Sequence, residues 1–141
     1  MSTIGPVEYL EPVTIQEAVA LLSKYANRAK VLAGGTYLVP LMKEKRIKPE
    51  YVINIGEIAD LDYIRLDDKS LRIGALTTIR SIEQSPQLQP KYELICQAAK
   101  QIAPISIRNV ATVGGNLCNA SPAADMASPL IVLSATAKVV S

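Results

Sequence analysis

Two glycine pairs, Gly34-Gly35 and Gly114-Gly115, constrain this chain more than any other feature of its sequence. The first follows the apolar run Lys30-Val-Leu-Ala33 and precedes Tyr37–Lys45, which reads as a short helix with Pro40 in its first turn. Glycine permits positive φ and lacks the Cβ that keeps other residues away from a ligand. A tight turn also makes backbone N–H groups converge, the arrangement that holds phosphate oxygens best. A plain strand-to-helix turn accounts for this pair too, since neither G-x-G-x-x-G nor G-x-x-x-x-G-K-[ST] is present. The second pair lies in Arg108-Asn-Val-Ala-Thr-Val-Gly-Gly-Asn-Leu117, where Thr112 and Asn116 add side-chain hydrogen-bonding groups. Two phosphate-type loops on so short a chain suggest a diphosphate held from two sides, and so a dinucleotide.

The composition narrows the chemistry. The chain has 141 residues, 49% of them apolar, which suits one domain or two small lobes. A net charge of +2 without clustered Lys and Arg argues against nucleic acid or a polybasic membrane surface. The short basic stretch Lys43–Lys48 is interrupted by Glu44 and reads as a solvated helix end. No apolar run approaches the roughly 20 residues of a membrane span, and no signal peptide is recognisable. Cys96 and Cys118 show no metal or iron–sulfur spacing, and isolated cysteines fit a reducing cytoplasm. With no His, the chain holds neither a Ser-His-Asp nor a Cys-His arrangement, nor a His-ligated metal. No nucleophile or general base suggests itself. With no Trp or Phe, a flat ligand would pack on aliphatic side chains, on backbone or on one of six tyrosines.

Along the chain, Thr14-Ile-Gln-Glu17 is a capping box ahead of a helix to about Ala26, with Ile15, Ala18, Val19 and Leu22 at helical spacing. Tyr51–Ile55 is a second strand, so the opening stretch reads α-β-loop-α-β. A boundary is expected within residues 56–62. Beyond it, Tyr63–Leu66 and Leu71–Gly74 flank Asp67-Asp-Lys-Ser70 as a hairpin. Thr77 or Thr78 caps a short helix ending before Pro86. Tyr92–Ile102 is a helix with Leu94, Ile95, Ala98, Ala99 and Ile102 on one face. Ser121-Pro122 reads as a helix start, which would put Asp125 in or just after the first turn. There a carboxylate could accept from a ribose hydroxyl or simply complement the helix terminus. Ala137–Ser141 reads as a strand.

These motifs resemble a known family. Val31-Leu-Ala-Gly-Gly-Thr-Tyr-Leu38, with Pro40-Leu-Met-Lys43, is similar to the first FAD loop of the molybdenum-hydroxylase flavoproteins. That family includes the medium subunits of carbon-monoxide dehydrogenase and the middle domain of xanthine dehydrogenase. Ile107–Asn116 with Ala120–Asp125 resembles the second loop, and Arg72-Ile-Gly-Ala-Leu-Thr-Thr78 extends the likeness between them. The resemblance implies an α+β, two-lobed FAD-binding fold of the vanillyl-alcohol oxidase type. Residues 1–57 would form a small α/β lobe with the first loop, and residues 58–141 an incomplete larger α+β lobe with the second. It implies FAD contacts from Val31, Leu32, Ala33, Gly34, Gly35, Thr36, Tyr37 and Leu38, and from Thr112, Val113, Gly114, Gly115, Asn116 and Asp125. Ile102 matches an aromatic flavin-pocket position in xanthine dehydrogenase. An isoleucine there packs on a ring without π-stacking, and a place in the helix core explains it as well.

The resemblance also implies partners and a role. Substrate would be hydroxylated on a large molybdopterin-binding subunit, with electrons passing through a small [2Fe-2S] subunit to FAD and on to an acceptor. No catalytic residue or metal ligand is expected in the chain itself. Members of the family continue past the point matching Ser141. The chain is therefore expected to be a fragment, a split subunit or a truncated product that binds FAD weakly alone. Two other readings remain at this stage: an assembly piece without functional flavin, and a single-chain FAD oxidoreductase of the same fold.

Overall fold

Thr14 starts the first helix as the capping box requires. Its hydroxyl accepts from the Glu17 N–H at 3.1 Å, and the Glu17 carboxylate accepts in return from the Val13 N–H at 2.9 Å. The reciprocal bond thus lands one residue before its usual position. The computed structural model describes residues 4–121 and 124–141. The chain divides into two compact units, the first ending at Asp60 and taking in Val140–Ser141, the second Leu61–Val139.

In the first unit the order is β1 (Glu8–Leu10), α1 (Ile15–Tyr25), β2 (Ala29–Leu32), α2 (Leu38–Lys43) and β3 (Tyr51–Asn54). The strands make a parallel sheet in the order β1-β3-β2, with Tyr9 paired to Val52 and Val31 to Ile53. Strand β1 is absent from the sequence reading. It is three residues long, its only strand pairing among the described residues is with β3 some 40 residues on, and its burial does not alternate. The central strand carries Val52 and Ile53, which are buried along with Ala18, Ala29, Met42 and Ile58.

The second unit opens with the hairpin β4 (Ile64–Leu66) and β5 (Leu71–Ile73), antiparallel with Arg65 opposite Arg72. Asp67 shapes the turn by accepting from the N–H groups of Lys69 and Ser70 at 2.9 and 2.7 Å. Helices α3 (Ile79–Gln84), α4 (Glu93–Gln101), α5 (Ile105–Arg108), α6 (Val113–Cys118) and α7 (Ala127–Val132) follow. Thr78 caps α3, accepting from the Ser81 N–H at 3.0 Å. Ile79, Ile82, Leu88, Ile95, Cys96, Ala99, Ile102, Val113 and Met126 form the core.

Three expectations fail. Helix α7 starts at Ala127, not at Ser121, and Asp125 sits in a turn ahead of it; Pro122 lies outside the described residues. Residues 137–141 form no strand and are exposed; no strand among the described residues pairs with them. On α4, Leu94 is 45% exposed and Cys96 is buried in its place, so the apolar stripe is rotated by one position. Several helices also close on a residue other than glycine in the left-handed region: Ala26, Lys45, Ala103, Ala120 and Ser134.

That rotation is testable. Ile95→Ala should cost about 2–5 kcal/mol, the usual range for a large-to-small change in a packed core, whereas Leu94→Ala should stay near 0.5 kcal/mol or about that. Denaturant titration of both variants checks it, and equal losses would contradict the assigned face.

Candidate functional site

The first glycine pair forms the bend between β2 and α2. Gly35 has φ +70°, a conformation that glycine adopts freely and β-branched residues almost never do. Its neighbours leave some room, since a Cβ there would meet only the side-chain ends Leu32 Cδ1 at 3.1 Å and Val39 Cγ2 at 3.3 Å. What the bend produces is a run of free donors. The N–H groups of Ala33, Gly34, Gly35, Thr36, Tyr37 and Leu38 reach no acceptor among the described residues, and none of these six is buried. Backbone N–H groups are obligatory hydrogen-bonding groups, and six in a row left to the outside make a surface suited to an anion. Val31 is exposed on the edge strand and Leu32 half-buried beside it.

The second pair is built differently. Thr112 is an N-cap, and Gly114 and Gly115 lie within the first turn of α6 with φ on the ordinary helical side. Of the two uses of glycine, positive φ and a missing Cβ, the second pair relies on the missing Cβ. Gly114 is a packing requirement: an added Cβ would lie 2.7 Å from the Ala75 carbonyl oxygen and 2.8 Å from the Ala75 Cβ. The close approach lets the Gly114 N–H donate to the Ala75 carbonyl at 2.9 Å, while Val113 donates to Thr77 at 3.0 Å. The Gly115 N–H donates to the Thr112 hydroxyl at 3.1 Å and the Asn116 N–H to the Thr112 carbonyl at 2.9 Å. Unlike those of the first loop, these N–H groups are all engaged internally. Asn116 Oδ1 is buried without a hydrogen-bond partner among the described residues. Asp125 is exposed, and Ile102 and Val113 belong to the core.

Two supports escaped the sequence reading. Thr77 is buried and locks the hairpin, its hydroxyl donating to the Tyr63 carbonyl at 2.8 Å and accepting from the Tyr63 N–H at 3.2 Å. Arg108 is 8% exposed, and its Nε donates to Glu83 Oε2 at 2.9 Å. Glu83 also takes Arg80 at 2.8 Å. The Arg80 hydrogen bond, then the Arg108 one, hold the Glu83 carboxyl below the usual carboxylate range. Nothing in the spacing of charges marked this cluster, because its members come together only when α3 and α5 pack. No group of side chains among the described residues is arranged to hold a metal.

The first unit is thus a parallel α/β unit with a glycine bend of free N–H groups, and the second an α+β unit with a capped Gly-Gly helix start. The chain belongs to the family described as the FAD binding domain in molybdopterin dehydrogenase, whose model matches residues 5–141. It is 38% identical over 130 residues to the nicotinate dehydrogenase FAD-subunit of Eubacterium barkeri, covering 92% of this chain and 44% of that protein. It is 40% identical over 118 residues to the carbon monoxide dehydrogenase medium chain of Hydrogenophaga pseudoflava, covering 84% and 41%. Among solved structures, reconstituted CO dehydrogenase from Oligotropha carboxidovorans superimposes with a TM-score of 0.85 at 38% identity, covering 88% of this chain and 43% of that one. The chain thus spans less than half the length of these relatives. The two-lobed flavoprotein fold expected from the motifs is the fold of these neighbours, and FAD is the cofactor of the family.

Two predictions follow from the geometry. Gly114→Ala should cost about 1–3 kcal/mol through backbone overpacking. Gly115→Ala meets only Thr112 Oγ1, at 2.9 Å, and should fall within about 1 kcal/mol of neutral, helix propensity offsetting a disturbed cap. Thermal unfolding of the pair distinguishes them. For Glu83, the folded pKa lies below the unfolded one, so its contribution to stability is complete above the unfolded value, about 4.3, and is lost as pH falls through the depressed folded value. Glu83→Gln should flatten that acid limb of the stability profile; an unchanged limb would remove Glu83 from the account.

Proposed function

We propose that this chain is the FAD-holding, electron-transfer component of a molybdenum-containing hydroxylase or dehydrogenase, working in the cytoplasm with a large molybdopterin-binding subunit and a small [2Fe-2S] subunit. The observation that carries the reading is the row of six free N–H groups at Ala33–Leu38. A pyrophosphate offers only acceptor oxygens, so a donor-only backbone surface is its complement. Val31 and Leu32 supply the rigid strand from which that surface is hung. The Thr112–Asn116 stretch contributes less through its N–H groups, which are engaged, than through the open face of Gly115 and the Asn116 amide. Asp125, exposed and in a turn, is free to accept from a ribose hydroxyl. Ile102 supports the core and reaches FAD only indirectly, through packing. Bound FAD would supply the redox chemistry that joins iron–sulfur donors to an acceptor such as NAD or a quinone. The protein's part is to bind, orient and shield.

The test is a flavin titration of the protein purified with its co-expressed partner subunits, followed by flavin fluorescence. Gly35→Val, strained at φ +70°, should weaken FAD binding at least tenfold while far-UV circular dichroism stays nearly unchanged. Asp125→Ala should weaken it by roughly tenfold, the worth of one charge-assisted hydrogen bond. Full FAD occupancy in Gly35→Val would sink the first-loop model. A preparation that carries molybdenum and iron–sulfur subunits but no flavin absorbance would instead favour an assembly role.

A further inference from the structure

Helix α5 is a single turn, and apolar burial does not hold it in place. Ile105 is 51% exposed, Ile107 37% and Val110, just beyond the helix, 48%. Within Ile105–Arg108 the one buried residue is the arginine. Only three residues, 109–111, lie between α5 and Thr112, whose cap starts the second glycine stretch. Where α5 sits therefore limits where Thr112–Asn116 can sit.

Arg108 makes contacts in two directions. Its Nε and Nη2 approach the Glu83 carboxylate on α3 at 2.9 and 3.5 Å. Its Nη1 donates to the carbonyls of Ile102, at 3.1 Å, and Ala103, two acceptors left over at the C-terminal end of α4. A planar guanidinium satisfies a carboxylate and two diverging carbonyls together, which a lysine ammonium on a flexible stem does not. Arg80 orients Glu83 from its other side at 2.8 Å. A buried charge with this many partners is costly to disturb, and its geometry is correspondingly well defined.

We infer that Arg108 is a positioning residue for the FAD site: by tying α5 to α3 and to the end of α4, it fixes Thr112–Asn116 against the Ala75 and Thr77 carbonyls. The inference deepens the flavin reading of that stretch and rests on it for its functional meaning. Arg108 itself touches no cofactor in this account. Its effect passes through the backbone of residues 109–112.

Arg108→Lys keeps the charge and loses the fork. Amide hydrogen exchange on the full chain reports the Val113 and Gly114 N–H groups directly. Exchange at both should accelerate at least tenfold in Arg108→Lys, while the amides of the β4–β5 hairpin stay at their wild-type rates. Flavin titration of the protein purified with its co-expressed partner subunits, at a temperature where circular dichroism shows the variant folded, should give a Kd at least tenfold higher with full binding capacity. Unchanged protection at Val113 and Gly114 would overturn the inference. So would acceleration spread evenly through the hairpin, or a loss of binding capacity at unchanged Kd, since either marks general destabilisation. Should Arg108→Lys fail to fold, Glu83→Gln, which keeps shape and one acceptor, is read by the same criteria. If the wild type takes up no FAD, the flavin reading fails, and the exchange comparison still decides whether Arg108 positions the stretch.

Discussion

The second unit depends on one place where two main chains run almost in contact: Gly114 against Ala75. Its N–H and that of Val113 donate to the carbonyls of Ala75 and Thr77, and Ile79 donates back to Ala111 at 2.8 Å. These bonds, with the Thr78–Thr112 bridge, join the segment leaving the hairpin to the segment entering α6. Side chains then exploit the join. Thr77 turns inward to hold Tyr63, Thr78 caps α3, and Thr112 caps α6. Val113 enters the core beside Ile79 and Ile102. A methyl group on Gly114 would push the two chains apart, and each of these contacts would have to be remade.

The two Gly-Gly pairs meet opposite physical demands, although the sequence writes them alike. Gly35 is needed for its backbone angle, and the result is a set of N–H groups turned outward. Gly114 is needed for its missing Cβ, and the result is a set of N–H groups turned inward. A diphosphate would find donors at the first place and chiefly side chains at the second. Backbone donors fixed before a ligand arrives lose little entropy on binding it, which makes the first loop the stronger candidate for the charged part of FAD.

Much of the local structure was legible in the sequence. The Thr14 capping box, the Asp67 turn, the Thr78 cap and the helix through Ile95 and Ala99 all rest on interactions within a few residues, and such signals survive without knowledge of the fold. The failures share the opposite character. Strand β1 exists because β3 lies beside it. Residues 137–141 are not a strand because no strand among the described residues pairs with them. Leu94 and Cys96 exchange places because α4 packs on α3 with the Cys96 thiol donating to the Ile82 carbonyl at 3.4 Å, a contact that periodicity does not specify. For the candidate site, the first loop could be read from strand, glycine pair and helix. The role of Gly114 required Ala75, and that of Arg108 required Glu83, 25 positions earlier.

The helix ends at Ala26, Lys45, Ala103, Ala120 and Ser134 carry a further consequence. Left-handed backbone costs a residue with a Cβ roughly 1 kcal/mol compared with glycine. The chain therefore tolerates a little strain at each of these scattered joints, and joints far apart in space contribute independently. Glycine replacements at Ala26, Lys45, Ala103 and Ser134, which lie outside both loops, are a route to a sturdier protein. For an engineer the thermal tolerance of this flavoprotein module is adjustable, with the reserve lying in its helix endings rather than in its core.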